Sequence, residues 1–212
     1  MTVEVASTST NRQWVLAARP LDRAVREDDF RLLEAPLPRP GRGEFLVRTL
    51  YLSVAPVMRQ YMIDGAGIEP PLAIGDVMRG RGVGQVVASN HPDYAPGDFV
   101  QGKLGWQEYS VSDGSPYYMM YKIRQRLVPL STAVGVLGIT GFTSYLGLVD
   151  LGQPKKGDTV LVSGAAGGVA GRGRELDDAG GRVGRRSRFV HPDVTVAPES
   201  ENHEVQAARR RE

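Results

Sequence analysis

The stretch GDTVLVSGAAGGVAGRGRELDD, residues 157–178, begins like a dinucleotide-binding unit but does not continue like one. Residues 159–162 are a short β-branched run of the type found in buried parallel strands. Small residues follow where the dinucleotide fingerprint needs a tight turn, close approach of a pyrophosphate and close helix–strand packing: Ala165, Gly167 and Ala170. From its spacing alone, this turn is either the fingerprint or ordinary punctuation after a strand.

The residues after the turn have a different composition. Residues 172–212 contain nine arginines and eight acidic residues, no lysine, and few large apolar side chains, which follow neither a helical nor a strand period. Such a segment buries too little apolar surface to offset its ordering entropy, so we expect it to be mostly disordered. A second βα unit and a ribose-side residue, which a dinucleotide site requires, cannot be identified in it.

The overall composition excludes several classes of protein. A net charge of +2 gives no general attraction to nucleic acid or membrane, and the arginines of the tail are nearly cancelled by acidic residues and lack interleaved aromatic residues. The absence of cysteine excludes a disulfide framework, a thiolate zinc site and a cysteine nucleophile. The three histidines lack metal-site spacing, so we expect no metal. Without a signal peptide or a long apolar span, the chain is expected to be cytoplasmic.

The first half of the chain is rich in short strand signals broken by glycine and proline. Residues 44–54 and 82–89 read as strands, and residues 97–112 as two further short strands around Gly102 and Gly105. The glycines of residues 82–89 indicate a bulge or a close backbone approach. Closely spaced strands predict a small barrel or sandwich, preceded by a frayed terminus over residues 1–11.

Residues 131–152 have apolar side chains at helical spacing. Ser131 or Thr132 is a credible N-cap, and the glycines predict a break near residues 138–141.

Isolated polar residues admit bland and functional interpretations. His91 lies in a turn-rich loop, where a solvated side chain is the default, and Asp76, Asp93 and Asp98 read as turn formers. Two arginines beside methionines, Arg59 and Arg79, indicate either contacts to a phosphate or carboxylate, or structural salt bridges.

Three segments together resemble one family. PLPRPGRGEFLVRTLYLSVAPVMRQYM (residues 36–62), GDVMRGRGVGQVVASNHPDYAPGDFVQGKLGWQEYSV (75–111) and GQPKKGDTVLVSGAAGGV (152–169) resemble the zinc-independent branch of the medium-chain dehydrogenase/reductase superfamily. This branch contains prostaglandin reductases, curcumin reductase and plant alkenal double-bond reductases. Residues 135–148 are similar to its nicotinamide-side segment, so the resemblance covers about residues 12–170.

The resemblance implies a mostly β GroES-like domain, a partly open small barrel, followed by the first helix and strand of an α/β Rossmann domain. Its implied boundaries are 1–11 for the terminus, 12–128 for the GroES-like domain, 129–171 for the start of the NADP-binding domain and 172–212 for an unrelated tail. The implied activity is NADPH-dependent reduction of the C=C bond of α,β-unsaturated ketones or aldehydes, without a metal. A homodimer is left open.

The resemblance also implies site residues, although it identifies no catalytic residue. Those implied to bind the cofactor are Thr140, Thr143, Ala165, Gly167, Gly168, Val169 and Ala170. Those implied to border the substrate cleft are Val57, Met58 and Tyr145. The chain departs from the family at Ala55, Val57 and Gln60, where relatives carry aspartate, tyrosine and glycine; the tyrosine faces the substrate cleft.

The larger departure follows Ala170, where no family-like continuation can be found. We expect that a frameshift near residues 171–173 replaced the rest of the Rossmann domain, which translation of the DNA in the other two frames tests. Two functions therefore stay open. One is an NADPH-dependent enone or alkenal reductase; the other is an inactive remnant in which only the GroES-like domain folds and NADPH does not bind measurably.

Overall fold

The structure is a computed structural model that describes residues 10–64, 69–124, 128–155, 159–160, 167–169 and 196–197. The chain divides into two compact units, Met1–Val134 and Gly135–Glu212, hereafter unit 1 and unit 2. The expectations for residues 1–9, and for all of the tail except Val196–Ala197, lie outside the described residues.

Unit 1 is built from antiparallel strands. Strands β1 (Thr10–Leu16) and β2 (Phe30–Pro36) form a two-stranded sheet. The second sheet has five strands in the order β6-β3-β4-β5-β7: β3 (Phe45–Leu52), β4 (Arg81–Ser89), β5 (Phe99–Lys103), β6 (Tyr109–Ser112) and β7 (Tyr121–Lys122). The mostly β architecture predicted from the sequence is thereby confirmed.

The glycines of β4 allow its backbone to approach β3 closely. A Cβ atom at Gly84 would lie 2.4 Å from Cγ1 of Val47 and 2.6 Å from the carbonyl oxygen of Arg48. The register between the two strands also shifts between Leu46 and Val47 and again between Thr49 and Tyr51. Both the close approach and the irregularity agree with the expectation from the glycines.

Two apolar clusters form the core of unit 1. The first lies on the five-stranded sheet: Phe45, Val47, Val86, Val100, Leu104 and Met120. The second joins β1 to the segments between the strands: Leu16, Met62, Leu72 and Met78, with Phe30 and Trp106 packed against them. The second cluster therefore fixes the connections that carry Met58 and Gly80.

Two sequence-based expectations in unit 1 are wrong. Thr10 and Asn11 belong to β1 rather than to a frayed terminus, because the buried Asn11 amide accepts from the Tyr109 N–H (2.9 Å) and donates to the Tyr109 carbonyl (2.8 Å). His91 is half-buried rather than solvated. Its ring packs edge-on against Phe45 and Tyr94, and its Nδ1 accepts from the Asp93 N–H at 3.0 Å.

The helical segment also begins later than the sequence predicts. Leu130–Val134 is a 3-10 helix in which the Thr132 hydroxyl donates to the Pro129 carbonyl, and the α-helix α1 (Ile139–Tyr145) begins only after Gly138. A Cβ atom at Gly141 would lie 1.7 Å from the carbonyl oxygen of Val136. Because the backbone folds back onto the helix there, neither Ser131 nor Thr132 caps α1, and the predicted break precedes the α-helix.

Unit 2 continues from α1 into a π-helical segment, Leu146–Leu151. Strand β8 (Thr159–Val160) pairs antiparallel with β9 (Val196–Ala197), whereas the sequence favoured a parallel strand over residues 159–162. Residues 161–162 of that expected strand lie outside the described residues. In the part of the chain that the structure describes, no helix is long and apolar enough to cross a membrane.

Candidate functional site

The expected substrate-cleft residues of unit 1 lie on a 3-10 helix, Pro56–Met62. Ala55 precedes it in an extended conformation, and Pro56 occupies the first helical position, where the missing N–H costs nothing and the fixed φ favours the turn. Val57 is 41% exposed, whereas the adjacent Met58 is 7% exposed. The helix therefore presents Val57 to solvent and points Met58 inward.

Arginines hold both halves of this helix. Arg59 donates to the Arg23 carbonyl at 2.9 Å, and Arg19 donates to the carbonyls of Met62 (2.9 Å) and Leu72 (2.7 Å). The segment that leads from β1 to β2 is thereby tied to the helix that carries Val57 and Met58.

The structure also answers the question that the two arginines beside methionines raised. Arg59 and Arg79 each donate to a main-chain carbonyl, of Arg23 and Pro70 respectively. Arg79 also lies over the ring of Tyr61, 5.5 Å from its centroid. Their observed role is to position the backbone, which neither of the predicted interpretations anticipated.

A buried carboxylate anchors the same connecting segment. Asp29 is fully buried, accepts two hydrogen bonds from the Arg23 guanidinium, one of them at 2.9 Å, and accepts the Arg26 N–H at 2.8 Å. The hydrogen bonds from Arg23, opposed by burial and assisted by the Arg26 N–H, lower the pKa of the Asp29 carboxyl. Asp29 is therefore charged at neutral pH and fixes the carbonyl that Arg23 presents to Arg59.

Met58 meets a tryptophan above Gly80. A Cβ atom at Gly80 would lie 2.8 Å from Cδ1 and Nε1 of Trp106 and 3.3 Å from Cε of Met58. The Trp106 ring is also tilted against Phe30, with centroids 5.4 Å apart. Sequence reasoning missed both Gly80 and Trp106; the signal was a glycine within MRGRG and the tryptophan of GWQEY, which only the fold brings together.

An open groove, also missed from the sequence, lies on the side of β1 and β2. Its volume is about 460 Å³, and its walls include Trp14, Leu32, Leu52 and Trp106, with the Arg12–Glu108 ion pair among its polar residues. The hydrogen bond from Arg12 lowers the pKa of Glu108, which keeps this carboxylate charged. The groove thus combines apolar walls with one fixed ion pair.

Unit 2 brings several of the expected cofactor residues together. A Cβ atom at Gly168 would lie 3.4 Å from Cγ2 of Thr140, and the Ser144 hydroxyl donates to the carbonyl of Val169. The hydroxyls of Thr140 and Thr143 donate to the carbonyls of Gly135 (2.9 Å) and Ile139 (2.7 Å). Gly168 and Val169 therefore lie against α1.

The described part of the turn fits a phosphate group. Gly167, Gly168 and Val169 are all exposed, and the two glycines carry no side chain that would cover the backbone N–H groups. Tyr145 is also exposed, on the same helix as Thr140. Ala165 and Ala170, the other two small positions of the fingerprint, lie outside the described residues.

Among the described residues, no group of three or more histidine, cysteine, aspartate or glutamate side chains is arranged to hold a metal ion.

Comparison with known proteins identifies the family. Residues 12–120 match the family described as the N-terminal domain of oxidoreductase, which covers all of the strands of the five-stranded sheet except β7. The chain belongs to this oxidoreductase family. It lies within the medium-chain dehydrogenase/reductase superfamily, as the resemblance implied.

Relatives within the superfamily are reductases by name. The chain is 48% identical over 159 residues to the NADPH-dependent curcumin reductase of Escherichia coli, covering 75% of this chain and 45% of the relative. It is 42% identical over 131 residues to the 2-alkenal reductase (NADP(+)-dependent) of Nicotiana tabacum, covering 61% and 37% respectively. The chain spans less than half the length of these two relatives.

A solved structure with bound NADPH also matches this chain in sequence and fold. The crystal structure of CurA from Vibrio vulnificus in complex with NADPH is 41% identical, with a TM-score of 0.71, over 81% of this chain and 50% of that chain. The match supports the fold of the described residues over most of the chain.

Proposed function

We propose that this chain is an NADPH-dependent oxidoreductase that reduces the C=C bond of α,β-unsaturated ketones or aldehydes. The observation that carries the proposal is the family match over residues 12–120 together with relatives named as NADPH-dependent reductases of curcumin and of alkenals. Unit 1 then supplies the substrate side through Val57 and Met58. Unit 2 supplies the first part of the cofactor site through α1 and the turn, with Tyr145 beside it.

When bound, the cofactor would supply the hydride that adds to the β-carbon of the substrate. The π electrons of the C=C bond would shift to the carbonyl oxygen as an enolate, and the α-carbon would then take a proton from water, which restores the carbonyl group and leaves hydroxide. The chain has to hold the enone in place and stabilise the negative charge that develops on its oxygen. In unit 1, the arginine-held helix Pro56–Met62 performs the first task by fixing the backbone of Val57.

On the cofactor side, the residues of unit 2 would bind rather than react. The exposed backbone of Gly167 and Gly168 would hold the pyrophosphate, and Thr140, whose methyl group lies next to Gly168, would support the turn. We propose that Ala165 and Ala170 also form part of the pyrophosphate-binding turn. Thr143 on α1 and Val169 in the turn would lie beside the bound cofactor. We also propose that the GroES-like domain ends at residue 128 and that the NADP-binding part of the chain ends at residue 171.

The proposal is tested with the full chain, NADPH and benzylideneacetone, an enone with a simple aromatic end. We expect a loss of NADPH absorbance that depends on the enone, and calorimetric binding of NADPH without it. Absence of NADPH binding would instead support the alternative in which the chain is an inactive remnant. Enone binding would then be the one function left to unit 1.

A pair of glycine variants tests the cofactor side. Gly168→Asp places a negative charge at the proposed pyrophosphate turn and should weaken NADPH binding by about tenfold or more. Gly147→Asp is the matched control, because a Cβ atom at Gly147 would meet no atom within 4 Å. Equal loss of affinity in both variants would refute the assignment of the turn.

A second pair tests the substrate side. Val57→Tyr restores the aromatic side chain that relatives carry and should lower the KM for benzylideneacetone more than it changes kcat. Leu21→Tyr adds the same side chain at a position that is 59% exposed, elsewhere in unit 1. If the two variants have the same KM, Val57 does not border the substrate.

A further inference from the structure

The strongest unexplained group in unit 1 is the indole N–H of Trp106. Its Nε1 atom is buried from solvent and has no hydrogen-bond partner within the described parts of the chain. The indole N–H can only donate, and its hydrogen is fixed in the plane of the ring, so it needs an acceptor in that one direction. Two hydroxyls share this condition, those of Thr49 and Ser110, but a hydroxyl can rotate, and it can accept as well as donate.

The surroundings of this N–H show why it stays unpaired. Cδ1 and Nε1 of Trp106 and Cε of Met58 pack closely over Gly80, where a Cβ atom would lie 2.8 Å from the two ring atoms and 3.3 Å from Cε. The rest of the ring packs on the apolar cluster of Leu16, Met62, Leu72 and Met78. Met58, which packs over Gly80 together with Trp106, has a flexible side chain that is 7% exposed.

Methionine is suited to open such a space. It has three rotatable side-chain bonds and a polarizable thioether, so it changes rotamer at low cost. Its backbone, in contrast, is held in the helix that Arg59 and Arg19 fix at the carbonyls of Arg23 and Met62. Movement of the Met58 side chain would therefore uncover the indole N–H without moving the helix.

We propose that Trp106 donates a hydrogen bond to the carbonyl oxygen of a bound enone or enal, and that Met58 covers this donor until the substrate displaces it. The assignment rests on the proposed function and adds to it the group that recognises the substrate oxygen. A buried donor that lacks an acceptor selects for a ligand that brings one, because an apolar ligand of the same shape leaves the N–H unpaired.

The same hydrogen bond serves the reaction. As the π electrons move to the carbonyl oxygen, that oxygen becomes negative and accepts more strongly from a fixed neutral donor. Gly80 is required beside the donor, because a methyl group there would lie 2.8 Å from Cδ1 and Nε1 of Trp106 and would force the indole out of its position.

The two tryptophans of the chain allow a direct test by NMR, which needs neither activity nor cofactor. In the full chain with isotopically labelled tryptophan, each indole N–H gives one resonance. Benzylideneacetone should shift the Trp106 proton downfield in a saturable way, and the matched hydrocarbon, in which a methylene replaces the carbonyl group, should not. Trp14 lines the same groove as Trp106, so its resonance reports binding in the groove, whereas the difference between ketone and hydrocarbon reports the hydrogen bond.

Three variants sharpen the test. Trp106→Phe should weaken binding of the ketone by about tenfold and leave binding of the hydrocarbon unchanged. Met58→Ala should let the ketone shift the Trp106 resonance at lower concentration, because no side chain then has to move. Gly80→Ala should abolish the shift, and correct folding is checked by its circular dichroism.

Each contrary result overturns the proposal. A ketone that shifts Trp14 and Trp106 together binds in the groove that both line, and equal shifts with ketone and hydrocarbon exclude the hydrogen bond. Absence of any ketone binding also refutes it. The proposed reductase function is tested separately. Enone-dependent loss of NADPH absorbance without a Trp106 shift supports the reductase function and refutes the role of Trp106. A Trp106 shift without NADPH oxidation supports the hydrogen bond and refutes the reductase function.

Discussion

Unit 1 buries its large apolar side chains, whereas the described helical segment of unit 2 exposes several of them. In unit 1, strands and connections enclose two clusters, and Phe45, Leu16 and Met78 are completely buried. Among the described residues of unit 2, Leu148 is the one large apolar side chain that is buried. Its helical segment instead exposes apolar side chains at a spacing of three and four: Ile139, Phe142, Tyr145 and Val149.

This difference indicates how much the burial of apolar surface stabilises each unit. Burial of apolar surface is the dominant favourable contribution, so the sheet of unit 1 is stabilised by its own core. A short helix is marginal in water unless one of its faces is packed. The described helix of unit 2 therefore contributes little stability through its exposed face, and substitutions in the two units should have very different effects.

The largest expected effect comes from emptying the core of unit 1. Phe45→Ala removes a fully buried ring that stacks on Tyr94 with centroids 4.0 Å apart, and should lower the free energy of unfolding by about 4 kcal/mol. Phe142→Ala makes the same chemical change at a ring that is 61% exposed, and should change it by less than about 0.5 kcal/mol. Urea unfolding followed by circular dichroism measures both. Similar losses would remove the contrast between the units.

The next effect concerns the carboxylate that anchors the connection from β1 to β2. Asp29→Asn leaves Arg23 without its buried counter-charge and should cost about 2 kcal/mol, because Arg23 remains partly hydrated, at 30% exposed. Asp28→Asn, at an exposed neighbour, should have a negligible effect. The measurement is again the urea midpoint. An unchanged midpoint in Asp29→Asn would show that the ion pair does not hold the segment.

The sequence predicted the architecture of unit 1 because its signals are local. Strand alternation and turn residues lie next to one another in the chain, so β3, β4, β5 and β6 could each be predicted from a few residues. The family resemblance then indicated Val57 and Met58 as cleft residues.

What the sequence could not predict depends on distant contacts. Trp106 meets Gly80 and Met58 only after three separate segments have folded. Asn11 is buried by hydrogen bonds to Tyr109, almost a hundred residues away. The predicted N-cap was wrong for a related reason, since the backbone around Val136 folds back onto Gly141 and α1 begins only after Gly138, which periodicity does not reveal.

A smaller effect is expected from acid. The pKa of Asp29 is lowered in the folded chain, so the folded state binds a proton there more weakly than the unfolded state does. Stability from this group is therefore complete above the unfolded pKa, near about 4, and is lost as the pH falls through the folded pKa. Glu108, with a pKa lowered by its hydrogen bond to Arg12, acts in the same direction.

The acid dependence also separates the two carboxylates. Urea midpoints measured from neutral pH downwards should fall less steeply for Asp29→Asn than for the unchanged chain. Glu108→Gln should flatten the curve less, because its ion pair with Arg12 is more exposed, at 38% and 58% of the two side chains. If Asp29→Asn has the same acid slope as the unchanged chain, Asp29 is not the group that titrates.

The smallest expected change in stability tests the exposed stripe of unit 2. Phe142→Ser should leave the urea midpoint nearly unchanged but reduce the fluorescence of an apolar dye, because the ring lies in the middle of the stripe of Ile139, Phe142, Tyr145 and Val149. Leu21→Ser removes a side chain of similar exposure, 59%, from unit 1, where it lies outside any such stripe, and should alter dye binding little. A contiguous apolar face binds the dye, whereas a single exposed residue does not. Equal dye signals in the two variants would mean that the stripe is covered in solution. The helical segment of unit 2 would then not differ from unit 1 in its exposed apolar surface.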